Sequence, residues 1–521
     1  TMTRTKRRGR IALTVAMLAV ASIALSGCLA SMVPDAKPSA SSGTERPSDT
    51  SGIAAELLPY YEQKLTWEPC GAGFDCTTVK APLDWANPSA GDIELAVIRQ
   101  RATGGDPIGS LLTNPGGPGA SGVGLIRDSI DYAVGKDLQR NFDVIGFDPR
   151  GVGDSTAVKC FDAPEMDAYL FDIAPDKRNS QAWIDEVVAS GKKFADACEQ
   201  NSNGILAHID TLSAARDLDL LRGVLGDSKL NYLGYSYGTF LGATYAKLFP
   251  ERVGRLVLDG AIDPSVPGID VGTTQAIGFE SALRAFMADC LTVRGCAFSG
   301  SVDDAMADLG ALLASAERSP MPSSDGRLVG SDTMMTGVIA ALYSTESWAF
   351  LRSALAEALQ GNPEQMLTLA HFYYNRENGV YLDNSTEAFT AYNCMDYPIE
   401  TDQAAIDAAA AKVKANAPTI APYWNSDAPD LCESWPFPAT GERGQIHAEG
   451  AAPIVVVGTT NDPATPYEWS VSLADQLESG VLITRVGEGH TGYNKGNACV
   501  DAAVETYLLT GKAPTKDLRC G

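Results

Sequence analysis

Leu230-Asn-Tyr-Leu-Gly-Tyr-Ser-Tyr-Gly238, followed directly by Thr239-Phe-Leu-Gly-Ala-Thr-Tyr-Ala-Lys247, is the segment from which the architecture of this chain is read. Its first half has the composition of a buried strand and its second half has helical periodicity, with Gly234-x-Ser236-x-Gly238 at the junction. A serine between two glycines at such a junction is a nucleophile elbow. The glycines let the turn tighten until the hydroxyl points off the end of a sheet. Serine alone is a weak nucleophile, so the reading also requires a histidine base, an acid to orient it, and amide donors for an oxyanion.

On either side of the elbow, short strand-like segments (Ile93 to Ile98, Ser110 to Thr113, Phe142 to Phe147, Arg255 to Leu258) are separated by loops and helical stretches. Such alternation predicts an α/β fold with a mostly parallel sheet covered by helices. Asp210-Thr211 caps a helical pattern that runs from Leu212 to Leu225. Beyond Asp263-Pro264 the patterns turn helical over Gln275 to Thr292, Val302 to Arg318, Asp332 to Ala358 and Asp402 to Asn416, and strands return at Ile454 to Val457 and Val481 to Arg485. The expected organisation is a first core segment over 53–264, an inserted helical cap over 265–450, and a closing core segment over 451–521.

The chain has four histidines, His208, His371, His447 and His490. In an α/β-hydrolase the order along the chain is serine, acid, histidine, and His490, in Gly487-Glu-Gly-His-Thr-Gly492 just after the last strand pattern, fits the base. Asp462, just past Ile454-Val-Val-Val-Gly458, fits the acid, because function collects at the C-terminal edge of such sheets. Asp259 is the rival acid. Asn114-Pro-Gly-Gly-Pro-Gly119 is the expected oxyanion loop, with the amides of Gly117 and Tyr237 as donors and Gly116 as a one-residue alternative.

The N-terminus has a different character. Arg4, Lys6, Arg7, Arg8 and Arg10 precede an apolar run from Ile11 to Leu25 that ends in Leu25-Ser-Gly-Cys28. The run is too short to span a bilayer as a helix, so residues 1–27 are expected to be an export signal, and Cys28 the lipid-modified first residue of a lipoprotein. Residues 28–52, rich in Ser, Pro and Ala, should then form a flexible tether holding the body off the membrane surface. The formal charge of −25 becomes about −30 without the basic signal, which argues against nucleic acid as a partner.

Eleven cysteines leave an even ten once Cys28 is set aside, as an oxidising compartment favours. The simplest pairing joins neighbours: Cys70 with Cys76, Cys160 with Cys198, Cys290 with Cys296, Cys394 with Cys432, and Cys499 with Cys520. Their spacing does not match a zinc site, and neither a metal nor an organic cofactor is expected.

Trp67-Glu-Pro-Cys70, Val79-Lys-Ala-Pro-Leu-Asp-Trp85, the Asn114 to Gly119 loop, Phe147-Asp-Pro-Arg-Gly-Val-Gly153, the elbow and the Asp462 and His490 segments together resemble the secreted actinobacterial tripeptidyl aminopeptidases. Those enzymes are related to prolyl aminopeptidases, and the chain is also similar to mycobacterial cell-envelope serine hydrolases of the same family. The resemblance implies an α/β-hydrolase that cleaves peptides near a free N-terminus without a cofactor, its cap closing over the substrate. It further implies an acidic residue that binds the substrate ammonium, for which Asp396 in Ala391-Tyr-Asn-Cys-Met-Asp396 is the counterpart, and a supporting role for Thr465 beside the acid. A carboxylesterase or lipase of the cell envelope would use the same triad. A peptide-binding lipoprotein would share the lipobox but would have no need of the triad.

Overall fold

The computed structural model describes residues 45–424 and 428–521. The expected signal peptide, Cys28 and most of the expected tether lie outside the described residues. Ten strands make one sheet: β1 (Glu68–Pro69), β2 (Phe74–Pro82), β3 (Asp92–Gln100), β4 (Ser110–Asn114), β5 (Asp143–Phe147), β6 (Leu230–Tyr235), β7 (Val253–Asp259), β8 (Ile454–Asn461), β9 (Gly480–Glu488) and β10 (Leu518–Cys520). Their spatial order is β1-β2-β3-β5-β4-β6-β7-β8-β9-β10. The β1, β2, β3 and β5 neighbours pair antiparallel, and every pair from β5 onward is parallel.

The central strands read as nearly continuous apolar runs because both faces of the sheet are covered. Alternate residues go to opposite layers. Tyr232, Leu256, Leu258, Ile454 and Val456 pack with the helices Thr211–Val224 and Tyr237–Leu248. Leu233, Val257, Val455 and Val457 face the other way, with residues of the helices Gly122–Ala133 and Ala498–Thr510. In register, Asn114 pairs with Gly234, Tyr235 with Asp259, and Val457 with Asp259, so the C-terminal ends of β4, β6, β7 and β8 arrive at one edge.

Between β7 and β8 the chain runs mainly through helices, including Gly268–Thr292, Val302–Arg318, Ser331–Leu342, Trp348–Ala358, Glu364–Tyr373, Ser385–Asp396 and Gln403–Asn416. Phe286, Leu309, Val338, Leu351 and Met366 form an apolar cluster of their own there. Its membership does not follow the expected 265–450 border. Phe171, from before the elbow, joins this cluster, whereas Ala391, Tyr392, Met395, Trp435 and Ile446 join the cluster against the sheet. The expected helix from Asp332 to Ala358 is also broken. Ser344 is extended and its side chain accepts from Glu346 N, which ends one helix and caps the 3-10 turn before the next.

All five neighbouring cysteine pairs are disulfide-bonded. The expected tether is shorter than 28–52 at its C-terminal end: Arg46 pairs with Asp227 at 2.8 Å and Asp49 with the buried Arg222 at 2.8 Å, so residues from Arg46 onward are held to the body. No helix among the described residues is long and apolar enough to cross a membrane.

Candidate active site

Ser236 lies between β6 and the helix Tyr237–Leu248 at φ 55° and ψ −122°. A residue with a Cβ is strained there by roughly 1–3 kcal/mol, which the surroundings must over-determine. They do so through backbone contacts. Ser236 N donates to Asp259 O at 2.9 Å, and Thr239 Oγ1 donates to Ser236 O at 2.6 Å. The glycines are required by close approach: a Cβ on Gly234 would lie 2.5 Å from Gly238 O.

β8 delivers Asp462 and β9 delivers His490 to the same edge. His490 Nδ1 is 2.9 Å from both carboxylate oxygens of Asp462, which is buried. The carboxylate also accepts from Ala464 N at 3.0 Å, Thr465 N at 2.9 Å, Thr465 Oγ1 at 3.0 Å and Thr491 N at 3.1 Å. A carboxylate so surrounded by donors is fixed in orientation. Thr465 Oγ1 lies 3.3 Å from His490 Nδ1, which places Thr465 against both members of the pair.

Ser236 and His490 both border the Asp259–Gly260 segment. Asp259 O takes the Ser236 amide, and a Cβ on the next residue, Gly260, would lie 3.2 Å from His490 Cε1 and 3.1 Å from Thr465 Oγ1. The rival acid Asp259 does not bond the imidazole. It accepts from Gly492 N at 2.8 Å and Tyr493 N at 2.8 Å, anchoring the segment just after the histidine, and burial pushes its carboxyl up to about 6. The imidazoles of His371 and His447 have other neighbours, His371 edge-on to Phe171 and His447 Nδ1 meeting Gln476 O, and His208 closes a short 3-10 turn whose last carbonyl accepts from Arg150.

The Asn114 to Gly119 loop leaves β4 and lies directly on the elbow. Gly116 has φ 97°, and a Cβ there would come 2.5 Å from Tyr235 O and 2.9 Å from Ser236 Cβ, so only glycine fits. Gly116 N is already taken by Asn114 Oδ1 at 2.9 Å. Among the described residues no acceptor meets the amides of Gly117 or Tyr237, which separates the expected donor Gly117 from its alternative Gly116. The Asp-Pro-Arg-Gly segment supports this loop. Asp148 accepts from Ser121 Oγ at 2.6 Å and Val123 N at 3.0 Å, just past the loop. Arg150, fully buried, makes two 2.7 Å bonds to Asp217 and donates to the carbonyls of Pro82, Leu83 and His208.

The expectation for Asp396 is corrected. It is 3% exposed, its Oδ1 accepts from Thr211 N at 2.8 Å and its Oδ2 from Thr211 Oγ1 at 2.6 Å. Burial pushes its carboxyl up to about 7. A carboxylate enclosed at a helix N-terminus, with both oxygens engaged, is not open to a substrate ammonium. Among the described residues no cluster of His, Cys, Asp or Glu is arranged to hold a metal ion.

Sequence reasoning missed Tyr343. Its carbonyl, freed by the helix break at Ser344, accepts from His490 N at 2.8 Å, and its ring stands edge-on to the imidazole at 5.4 Å. A serine-rich interruption in a helical pattern was the available signal, but only the fold brings it to the histidine.

Family models described as TAP-like protein and as alpha/beta hydrolase fold match residues 417–520 and 109–302. Serine protease Hip1 of Mycobacterium tuberculosis is 35% identical over 489 residues, which cover 90% of this chain and 93% of that protein. The chain is a TAP-like α/β-hydrolase. Two further relatives of this TAP-like hydrolase carry different names. Carboxylesterase B of Mycobacterium tuberculosis is 38% identical over 95% of this chain and 96% of its own length. Tripeptidyl aminopeptidase of Streptomyces lividans is 31% identical over 88% and 86%.

Proposed function

We propose that this TAP-like hydrolase is an exported serine peptidase that releases short peptides, tripeptides above all, from free N-termini. The observation that carries the reading is the Asp462 to His490 hydrogen bond, 2.9 Å long, presented beside a serine held at positive φ. In the proposed mechanism His490 Nε2 takes the proton of Ser236 Oγ as the hydroxyl attacks the scissile carbonyl. Asp462 fixes the tautomer and stabilises the imidazolium. The amides of Gly117 and Tyr237 stabilise the oxyanion, each contributing about 3 kcal/mol. His490 protonates the leaving amine, and water then cleaves the acyl-enzyme by the same route. No step calls for a metal or organic cofactor.

Names borne by relatives support the peptide reading: serine protease for one, tripeptidyl aminopeptidase for another. Export is supported by the five disulfides and by the charged, then apolar, N-terminal sequence, whose lipobox would place Cys28 in the outer leaflet of the cell membrane. The second reading is a carboxylesterase, favoured by the relative of that name at 38% identity. Hydrolysis of a free-amine tripeptidyl anilide, its N-acetylated twin and a short-chain ester by wild type and Ser236→Ala tests both. Preference for the free-amine anilide with loss in Ser236→Ala supports the aminopeptidase; equal cleavage of the blocked anilide, or cleavage of the ester alone, removes it.

A further inference from the structure

Asp396 is a buried carboxylate that the proposed mechanism leaves unused, yet it connects to the residue after the nucleophile. Thr211 Oγ1 lies 2.6 Å from Asp396 Oδ2 and 2.5 Å from Tyr237 Oη. The Thr211 hydroxyl donates its single hydrogen to Asp396, so its lone pairs receive the Tyr237 hydroxyl. The three groups form a chain of one polarity, buried throughout, from Ser385–Asp396 through the first residue of Thr211–Val224 to the first residue of Tyr237–Leu248. Among the described residues the Tyr237 hydroxyl has no other partner, and its ring is packed against Tyr392 at 5.6 Å and Phe240 at 6.3 Å.

We propose that Asp396, acting through Thr211, is a positioning residue that pins the Tyr237 side chain and so sets the place of the Tyr237 amide in the oxyanion hole. The inference rests on the reading of that amide as an oxyanion donor. A donor aimed at developing charge loses its effect when it shifts by a fraction of an ångström. Tyr237 is held by its backbone at the elbow on one side and by this chain on the other. Removing the hydroxyl leaves the ring packed against Tyr392 and Phe240 but frees the second anchor, so the loss falls on the transition state rather than on substrate binding.

The test uses Tyr237→Phe, Thr211→Val, Thr211→Ser and Asp396→Asn in the full chain, measured on the preferred substrate and with a peptidyl trifluoromethyl ketone, which forms an oxyanion on Ser236. The expected result is a fall in kcat of about tenfold in Tyr237→Phe and Thr211→Val with KM within about twofold, a parallel loss of ketone affinity, and recovery in Thr211→Ser. If Asp396→Asn does not fold, Tyr237→Phe and the Thr211 pair carry the comparison. Wild-type kcat in Tyr237→Phe, a loss confined to KM, or unchanged ketone affinity overturns the inference while the peptidase reading stands. Full activity in Ser236→Ala overturns that reading itself.

Discussion

Asp462→Asn tests the assignment of the acid with a change of one atom type. Two amide hydrogens replace one carboxylate oxygen, and every neighbour is a donor. If the amide nitrogen takes the place of Oδ1, it faces the N–H groups of Ala464 and Thr465, 3.0 and 2.9 Å away. If it takes the place of Oδ2, it faces Thr491 N at 3.1 Å and Thr465 Oγ1 at 3.0 Å, and the threonine hydroxyl can rotate to accept. The second orientation orphans one buried donor instead of two, at about 1–3 kcal/mol of folding stability. It leaves the amide oxygen to accept from His490 Nδ1, but without the charge that stabilises the imidazolium. The expected fall in kcat is roughly 10³ to 10⁴, or about 4 to 5.5 kcal/mol in the barrier, with KM little changed. Steady-state kinetics on the preferred substrate, with thermal unfolding of the same samples, measures both quantities. A variant within about tenfold of wild-type kcat would refute the assignment, the more so if Asp259→Asn lost activity by the larger factor.

Thr465→Val removes the hydroxyl that touches both Asp462 and His490, and kcat should fall about tenfold while stability drops by roughly 1 kcal/mol, read by kinetics and denaturant unfolding. Asp396 gives a pH signature of known sign. Burial raises its carboxyl from 3.8 to about 7, so between those values the folded chain keeps a proton that the unfolded chain has released. The stability this proton contributes is fully present at low pH and is lost as pH rises through about 7. Tm should therefore fall more steeply from pH 5 to pH 8 in wild type than in Asp396→Asn, and equal slopes by calorimetry would refute it. Removing the Cys394–Cys432 bond by a double serine substitution opens a loop of sequence separation 38 and should cost about 4 kcal/mol on the loop-entropy account, measured by urea unfolding under non-reducing conditions.

Much of the fold was legible because its signals are local. The strand patterns over Ile93 to Ile98, Leu230 to Gly234 and Ile454 to Val457 became β3, β6 and β8, each a little longer than the pattern, since hydrogen bonding continues past the last apolar residue. The Asp332 to Ala358 pattern failed where Ser344 offered its side chain to the backbone and stopped the helix, a competition that apolar periodicity does not register. The strand Phe74–Pro82 carries Asp75, two threonines and Lys80 on a half-buried sheet edge, and its weak apolar run hid it.

By itself, the sequence determined the elbow and the glycine loop, and it offered the candidate acid and base and the simplest cysteine pairing, which the structure then joined as five disulfides. The elbow and the glycine loop depend on residue types a few positions apart, where turn chemistry and backbone freedom act directly. Only the tertiary structure decided what joins residues far apart in the chain: Asp396 with Thr211, Arg150 with Asp217, Tyr343 with His490, and Arg46 with Asp227. A buried polar group must find a partner, but its type and local pattern do not say which one. The strand order and the helices between β7 and β8 choose that partner, and the choice encloses Asp396 against Thr211.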